Sequence, residues 1–282
     1  MVSNSIITSL GLINFLALSS IVIIGLPHGA FDGAIASYLG FSKRPGLFIR
    51  FLFMYITLTI LVVALWIAFP TTALIIFLGV SIIHFGLGDA RVQNGWFRWV
   101  QAIAHGGIVI TVIAQWHKSN VSKIFSYLTG EESLQVWIAI DILSIIVVTM
   151  IIIYAWQAIC NRRHLVGLLE ILFLILILSQ LPPLVGFAIY FCCFHSVRHL
   201  LNIWRSINAN LPRNNLYVQA IGYTLTSWIS GWIAFSWCIN QLSVEVSLLR
   251  VVFIGLAALT VPHMMLVDIF FRNHTVHLKK IF

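Results

Sequence analysis

Nine long apolar stretches occupy most of this 282-residue chain and constrain its fold more than any other feature. A helix needs about 20 residues to cross a hydrocarbon core of about 30 Å, and inside that core the backbone must satisfy its own hydrogen bonds. We therefore predict an all-α polytopic membrane helix bundle of about nine spans, with eight as the alternative count, forming one integral-membrane domain over 1–282. The predicted spans are roughly 6–28, 47–68, 72–92, 98–116, 135–158, 165–181, 183–205, 216–239 and 247–270.

Composition and the placement of the basic residues agree with this count. Hydrophobic residues make up 60% of the chain and charged residues 9%, whereas soluble domains have about 25% charged residues. An ordinary soluble domain is therefore excluded. With the N-terminus outside, an odd number of spans places every Lys and Arg inside except Lys118, Lys123 and Arg250. The positive-inside rule then predicts an outside N-terminus and an inside C-terminus, and it explains the basic excess without a nucleic-acid partner.

Histidines are the unusual polar residues of the predicted spans. Ionisable side chains at membrane depth are costly and usually face a bundle interior or a cavity. Six of the ten histidines lie in or at the end of a span, which favours a shared site over isolated packing residues. These six are His28, His84, His105, His195, His199 and His263.

The clearest local arrangement is the pair His195 and His199, because residues four apart share one face of a helix. Both imidazoles can reach one ion, and neutral imidazole suits iron, copper, zinc or nickel. Two other classes of protein remain open at this point. Histidines on facing helices could ligate the haem of an electron carrier, or a His and Asp relay such as His28, Asp32 and His84 could serve a metal or proton transporter. A membrane di-iron desaturase would require more HxxxH boxes than the single one present.

Carboxylates follow three of these histidines. Asp32 lies four residues after His28, while Asp89 and Asp268 lie five residues after His84 and His263, respectively. Because a metal-bound histidine commonly donates its other ring N–H to a carboxylate, Asp32 is the best candidate to orient His28. The alternative is that these acids pair with arginines at the inner membrane edge. Glu170 is expected to cap polar groups or to hydrogen-bond a histidine.

Several short motifs contain the histidines of the predicted spans. They are GLPHGAFD at 25–32, IIHFG at 82–86, AHGG at 104–107, PPLV at 182–185 continuing to FHSVRH at 194–199, and FIGLAALTVPH at 253–263. Together these motifs resemble the Brp/Blh family of membrane β-carotene dioxygenases, from Gly25 to about Arg272. The resemblance implies that iron(II) is the cofactor and that His28, His84, His195 and His199 are both its ligands and the catalytic residues.

The resemblance also implies an activity and a location. These enzymes cleave β-carotene at its central double bond with O₂ to give two molecules of all-trans-retinal, which serve microbial rhodopsins. The chain is therefore expected in the cytoplasmic membrane of a prokaryote, with retinal handed over to a rhodopsin. Asp32, Asp89, His105, His263 and Asp268 are expected to support the ligands or to handle protons. Phe85, Tyr190 and Phe194 are expected to line an apolar substrate tunnel, with ordinary helix packing as the alternative.

Overall fold

The computed structural model describes residues 11–91, 95–207 and 213–271, and within these residues it contains helices and turns but no β-strand. The predicted all-α class is confirmed. Eight helical runs in the described part are long and apolar enough to cross a membrane, which equals the alternative count of spans. They are Leu12–Tyr38, Pro45–Ala68, Pro70–Asp89, Trp96–Trp116, Leu134–Cys160, Arg162–Gln180, Pro183–Arg205 and Val244–Asp268.

The first run continues ten residues beyond its predicted end at residue 28. It changes helix type several times instead of stopping at Pro27, because a proline is tolerated in the first turn of a new helical segment. The successive segments are α1 (Leu12–Ser20), a π-helix (Ile21–Gly25), a 3₁₀ helix (Leu26–Phe31) and α2 (Asp32–Tyr38).

The remaining helices begin and end where the local sequence requires. Proline occupies the first position of three of them, where its missing N–H costs nothing, and Ser133 and Ser243 cap two others by accepting a backbone N–H. The remaining α-helices are α3 (Pro45–Ala68), α4 (Pro70–Asp89), α5 (Trp96–Trp116), α6 (Lys118–Thr129), α7 (Leu134–Cys160), α8 (Leu165–Gln180), α9 (Pro183–Ile189), α10 (Ser196–Ile207), α11 (Arg213–Cys238) and α12 (Val244–Met264). Short 3₁₀ segments lie at Phe41–Lys43 and Arg162–His164, and π-helices at Tyr190–His195 and Met265–Phe271.

Two helices differ from the prediction. α6 forms between the predicted spans 98–116 and 135–158, where no span was predicted, and it is followed by Gly130, whose φ of 88° only glycine adopts readily. α11 covers the predicted span 216–239, but it is not among the eight apolar runs. It is long enough to cross a membrane, since its 26 residues span about 39 Å. The inside and outside assignment of the termini stays a prediction.

The described chain divides into two compact units. We call Met1–Ala68 together with Ser196–Phe282 the terminal unit, and Phe69–His195 the central unit. The single domain predicted over 1–282 stays a prediction.

In the central unit, α5 packs against α4, α7 and α8. The contact between α4 and α5 is made by glycines: a Cβ on Gly86 would collide with the backbone of Ala102, and a Cβ on Gly106 would collide with that of Ile82. Helices in lipid associate through such close backbone approaches. Gly86 and Gly106 are therefore packing residues of the contact between α4 and α5.

In the terminal unit, α12 packs against α3, and α11 packs against α2 and the 3₁₀ helix Leu26–Phe31. Gly33 permits the α2 contact, because a Cβ there would collide with the ring of Tyr223 on α11. The buried core includes Ala34, Ile35 and Ile203 together with Leu266 and Val267. This packing holds together the helices of the terminal unit that carry its buried polar residues, which are α2 with Asp32, α3 with Tyr55 and α12 with His263.

Candidate histidine site

Two of the predicted ligands meet in the central unit. His84 lies near the end of α4 and His195 at the end of the π-helix Tyr190–His195, and their ring centroids are 5.0 Å apart. Both side chains are buried, with 3% and 0% of their surface exposed, respectively. Two imidazoles at this separation can bind the same ion, and neutral imidazole suits iron, copper, zinc or nickel.

Aromatic rings enclose this pair. The Phe85 ring lies 4.8 Å from that of His195, and the Phe191 ring stacks on His195 at 6.1 Å with an interplanar angle of 11°. Tyr190 contacts Phe85 at 5.4 Å. The predicted lining residues Phe85 and Tyr190 therefore adjoin the histidines, while Phe194 lies half-buried in the same π-helix. Whether these rings touch substrate stays a prediction.

Asp89 has a different partner from the arginine considered in the sequence analysis. The Tyr190 hydroxyl donates a buried hydrogen bond to Asp89 Oδ2 at 2.7 Å. The Tyr190 ring is in turn 6.3 Å from that of His195. Asp89 thus holds the hydroxyl of a tyrosine whose ring lies beside His195, and its role toward the histidines stays a prediction.

Gly88 provides space for His195, a role the sequence analysis missed. A Cβ at residue 88 would lie 3.0 Å from Cε1 and 3.4 Å from Nδ1 of that histidine. Its sequence signal is weak, because Gly88 is one of several glycines in α4 and α5.

A second buried cluster lies in the terminal unit. His263 Nδ1 and Asp32 Oδ1 are 2.7 Å apart, and the Tyr55 hydroxyl donates to Asp32 Oδ2 at 2.8 Å. Asp32 contacts a histidine, and the histidine that the structure shows beside it is His263. Its supporting role stays a prediction. Tyr55 was missed, and its signal was weak, because Thr57 and Thr59 of the same helix also carry hydroxyls.

His199, the other half of the HxxxH pair, belongs to the same cluster. Its ring centroid lies 4.9 Å from that of His263, in an edge-to-face arrangement. Both rings are buried, with 6% and 3% of their surface exposed. Residues 195 and 199 lie one turn apart in the continuous helical run Pro183–Arg205.

The remaining predicted site residues are less defined. The backbone of His28 lies in the 3₁₀ helix Leu26–Phe31, but its side chain lies outside the described part of the structure. His105 is buried in α5 beside Gly106, and Asp268 is half-buried in the π-helix Met265–Phe271. Across the described side chains, no group of three or more His, Cys, Asp or Glu residues is placed to hold a metal.

Glu170 forms an ion pair with Arg91, whose Nη2 lies 2.8 Å from Glu170 Oε2. Close by, Gln101 accepts a hydrogen bond from the Arg91 backbone N–H and donates one to the Tyr154 hydroxyl. This contact with arginine was expected for the aspartates and is instead made by the glutamate. We therefore assign Glu170 to the polar end of the central unit.

An apolar groove of about 240 Å³ lies beside the cluster of the terminal unit. Phe51, Met54 and Tyr55 of α3 form one wall, and Pro262 and Met265 form the other. The Tyr55 ring faces this groove while its hydroxyl bonds Asp32. The groove suits a hydrocarbon surface and not a polar ligand.

Comparisons with known proteins agree with the motifs. Residues 19–271 match the family model described as "BCD: Beta-carotene 15,15'-dioxygenase". A beta-carotene 15,15'-dioxygenase of uncultured marine bacterium 66A03 is 36% identical over 272 residues, which cover 95% of this chain and 98% of that protein. No solved structure matches the chain. The match extends through both buried histidine clusters, and the chain belongs to the beta-carotene 15,15'-dioxygenase family.

Proposed function

We propose that this chain is an iron-dependent enzyme that cleaves β-carotene at its central double bond with O₂, giving two molecules of all-trans-retinal. The observation that carries the proposal is the family match over nearly the whole of both chains. It favours the dioxygenase over a haem electron carrier or a transporter. The balance is simple: the central C=C bond breaks, each carbon gains one oxygen atom, and one O₂ supplies both.

The donor chemistry of the buried histidines supports iron. His28, His84, His195 and His199 are the proposed ligands, on the basis of the family motifs and the HxxxH spacing. The described rings of His84, His195 and His199 are all buried, and neutral imidazole is a good iron(II) ligand. When bound, iron(II) supplies the redox chemistry that O₂ needs to attack an unactivated alkene.

The protein residues around each histidine would exclude water and fix ring orientation. Phe85, Tyr190 and Phe191 enclose the His195 ring, and Asp89 holds the Tyr190 hydroxyl. Such enclosure keeps a reactive polyene away from water and other nucleophiles. We expect Phe85, Tyr190 and Phe194 to place one double bond of the substrate within reach of bound O₂.

The bilayer is the proposed source of the substrate. β-Carotene is a long hydrocarbon that dissolves among lipid tails, and the described helices carry many exposed apolar side chains. We propose a multi-pass location in the cytoplasmic membrane of a prokaryote, lateral entry of β-carotene and hand-over of retinal to a microbial rhodopsin. The apolar groove beside Tyr55 supports the entry of a hydrocarbon.

Expression in bacteria that accumulate β-carotene and make no retinal tests the activity. The wild-type chain is expected to bleach the cells and to yield retinal on chromatography, whereas His195→Ala and His199→Ala yield none. His117→Ala is the matched control. This histidine is half-buried, and the hydrogen bond shown for its ring is with the backbone carbonyl of Leu178. Persistence of β-carotene with well-inserted, iron-supplied wild-type protein would refute the proposal, as would full activity of both variants.

A further inference from the structure

We propose that His263 is a further ligand of the iron, binding through Nε2 together with His199, and that Asp32 and Tyr55 hold its ring in place. The proposal rests on the iron dependence proposed above. The motifs assign His28, His84, His195 and His199, so His263 is an addition to that set.

Hydrogen bonding sets the tautomer of His263. A carboxylate only accepts hydrogen bonds, so the 2.7 Å contact with Asp32 Oδ1 requires His263 Nδ1 to donate its N–H. In a neutral imidazole the lone pair is then on Nε2, the atom that binds metal. This carboxylate–histidine arrangement is the one that orients ligand histidines in many metal sites and raises their basicity.

Tyr55 makes the arrangement rigid. Its hydroxyl donates to Asp32 Oδ2 at 2.8 Å, so both oxygens of the carboxylate have a named donor. Asp32 and His263 are each almost fully buried, with 3% of their surface exposed. Burying a carboxylate costs free energy unless it is fully hydrogen-bonded. Asp32 meets this condition, and its bond to His263 Nδ1 fixes the orientation of the ligand ring.

One proposed ligand, His199, lies next to His263, and the helix that bears another, His28, passes nearby. The His199 ring is 4.9 Å away, close enough for both imidazoles to bind one ion. The 3₁₀ helix Leu26–Phe31 also passes close to this ring, since a Cβ added to Gly29 would lie 3.9 Å from His263 Nδ1. The ring of His263 is thus beside the element that bears His28 and beside His199 itself.

Cobalt(II) binding tests this role without relying on activity. The position and intensity of the visible Co²⁺ absorption depend on the number and type of its ligands. Metal-free wild-type protein in detergent is titrated with Co²⁺ in the absence of O₂, alongside His263→Ala, His263→Gln, Asp32→Asn and Tyr55→Phe. His199→Ala is the positive control and His117→Ala the histidine-count control. Size-exclusion chromatography and circular dichroism confirm that each variant is folded.

We expect both His263 variants to bind Co²⁺ more weakly and to change its spectrum, and free imidazole to restore the wild-type spectrum to His263→Ala. Asp32→Asn should weaken binding by about 10- to 100-fold, as is typical when the group that orients a ligand is lost. Tyr55→Phe should weaken it less, because it removes one hydrogen bond from Asp32 and leaves the carboxylate in place.

Two results would overturn the proposal in distinguishable ways. If folded His263 variants match the wild-type affinity and spectrum while His199→Ala does not, His263 is not a ligand and the iron-dependent function stands. If wild-type protein that is active in cells binds neither Co²⁺ nor Fe²⁺, the iron dependence fails and this proposal fails with it.

Discussion

Gly88→Ala is the substitution that most directly tests whether the position of His195 matters. An added Cβ would lie 3.0 Å from His195 Cε1, whereas carbon atoms in ordinary contact are about 3.5–4.0 Å apart. The ring must therefore move by a few tenths of an ångström. Phe85, Phe191 and His84 already surround it, with ring centroids 4.8 Å, 6.1 Å and 5.0 Å away, so the movement has little free space to use.

A displacement of this size is large for catalysis and small for folding. Misplacing a reacting group by about 1 Å can reduce the rate by about 100-fold. The shift expected here is a few tenths of an ångström, so we expect kcat to fall by about 3- to 10-fold in Gly88→Ala. Alanine is at the same time about 0.5–1 kcal/mol more favourable than glycine in a helix interior. The amount of folded, membrane-inserted protein should therefore remain near that of the wild type.

The assay measures retinal formation per inserted protein, and Gly79→Ala is the matched control. Gly79 lies in the same helix, α4, and a Cβ there would meet nothing within 4 Å. We expect Gly79→Ala to retain wild-type kcat. Equal activity of Gly88→Ala and Gly79→Ala would refute the reasoning, since it would show that His195 can move without consequence for the reaction.

Three further predictions concern packing, topology and chemistry. Gly86→Ala should reduce the amount of inserted protein, because its Cβ would collide with the Ala102 backbone. Such overpacking destabilises the folded state by about 1–3 kcal/mol or more, and wild-type abundance of the variant would contradict this contact. If α11 crosses the membrane between an inside and an outside loop, as the sequence predicts, an impermeant maleimide should label Asn240→Cys but not Cys160 in single-cysteine variants of intact cells. Protection of both cysteines would show that α11 does not cross. When cleavage is carried out under ¹⁸O₂, both product molecules should carry ¹⁸O. The retinal is reduced rapidly to retinol, because its aldehyde oxygen otherwise exchanges with water, and labelling of only half the product would contradict a dioxygenase.

Much of the fold could be predicted from hydropathy, because a membrane span is specified by length and apolar composition. The changes of helix type could not. A window average does not detect that the chain passes through Pro27 as a 3₁₀ helix and continues to Tyr38. It does separate α11 from the more apolar runs, since α11 mixes tryptophans with Ser, Thr, Asn and Gln. The continuation to Tyr38 is accompanied by tertiary packing that hydropathy does not report, such as the contact of Gly33 with Tyr223.

The residue types of the site could be predicted, but several pairings could not. Spacing along one helix suggested that Asp32 orients His28, because residues four apart share a face. The structure instead brings Asp32 to His263, which is 231 positions away along the chain. Sequence spacing reports only neighbours on the same helix, whereas a buried carboxylate takes whichever donors the fold brings to it. Glu170 shows the same point, since its partner Arg91 is 79 positions away.

The two buried carboxylates follow a common rule that hydropathy alone does not reveal. Each accepts a tyrosine hydroxyl, Asp89 from Tyr190 at 2.7 Å and Asp32 from Tyr55 at 2.8 Å. Each also lies near a histidine: Asp32 contacts His263 directly, and the tyrosine bonded to Asp89 has its ring 6.3 Å from that of His195. An acid buried among apolar side chains costs stability unless such donors surround it. The tyrosine hydroxyls offset this cost in both places, so each acid can remain buried next to a histidine cluster.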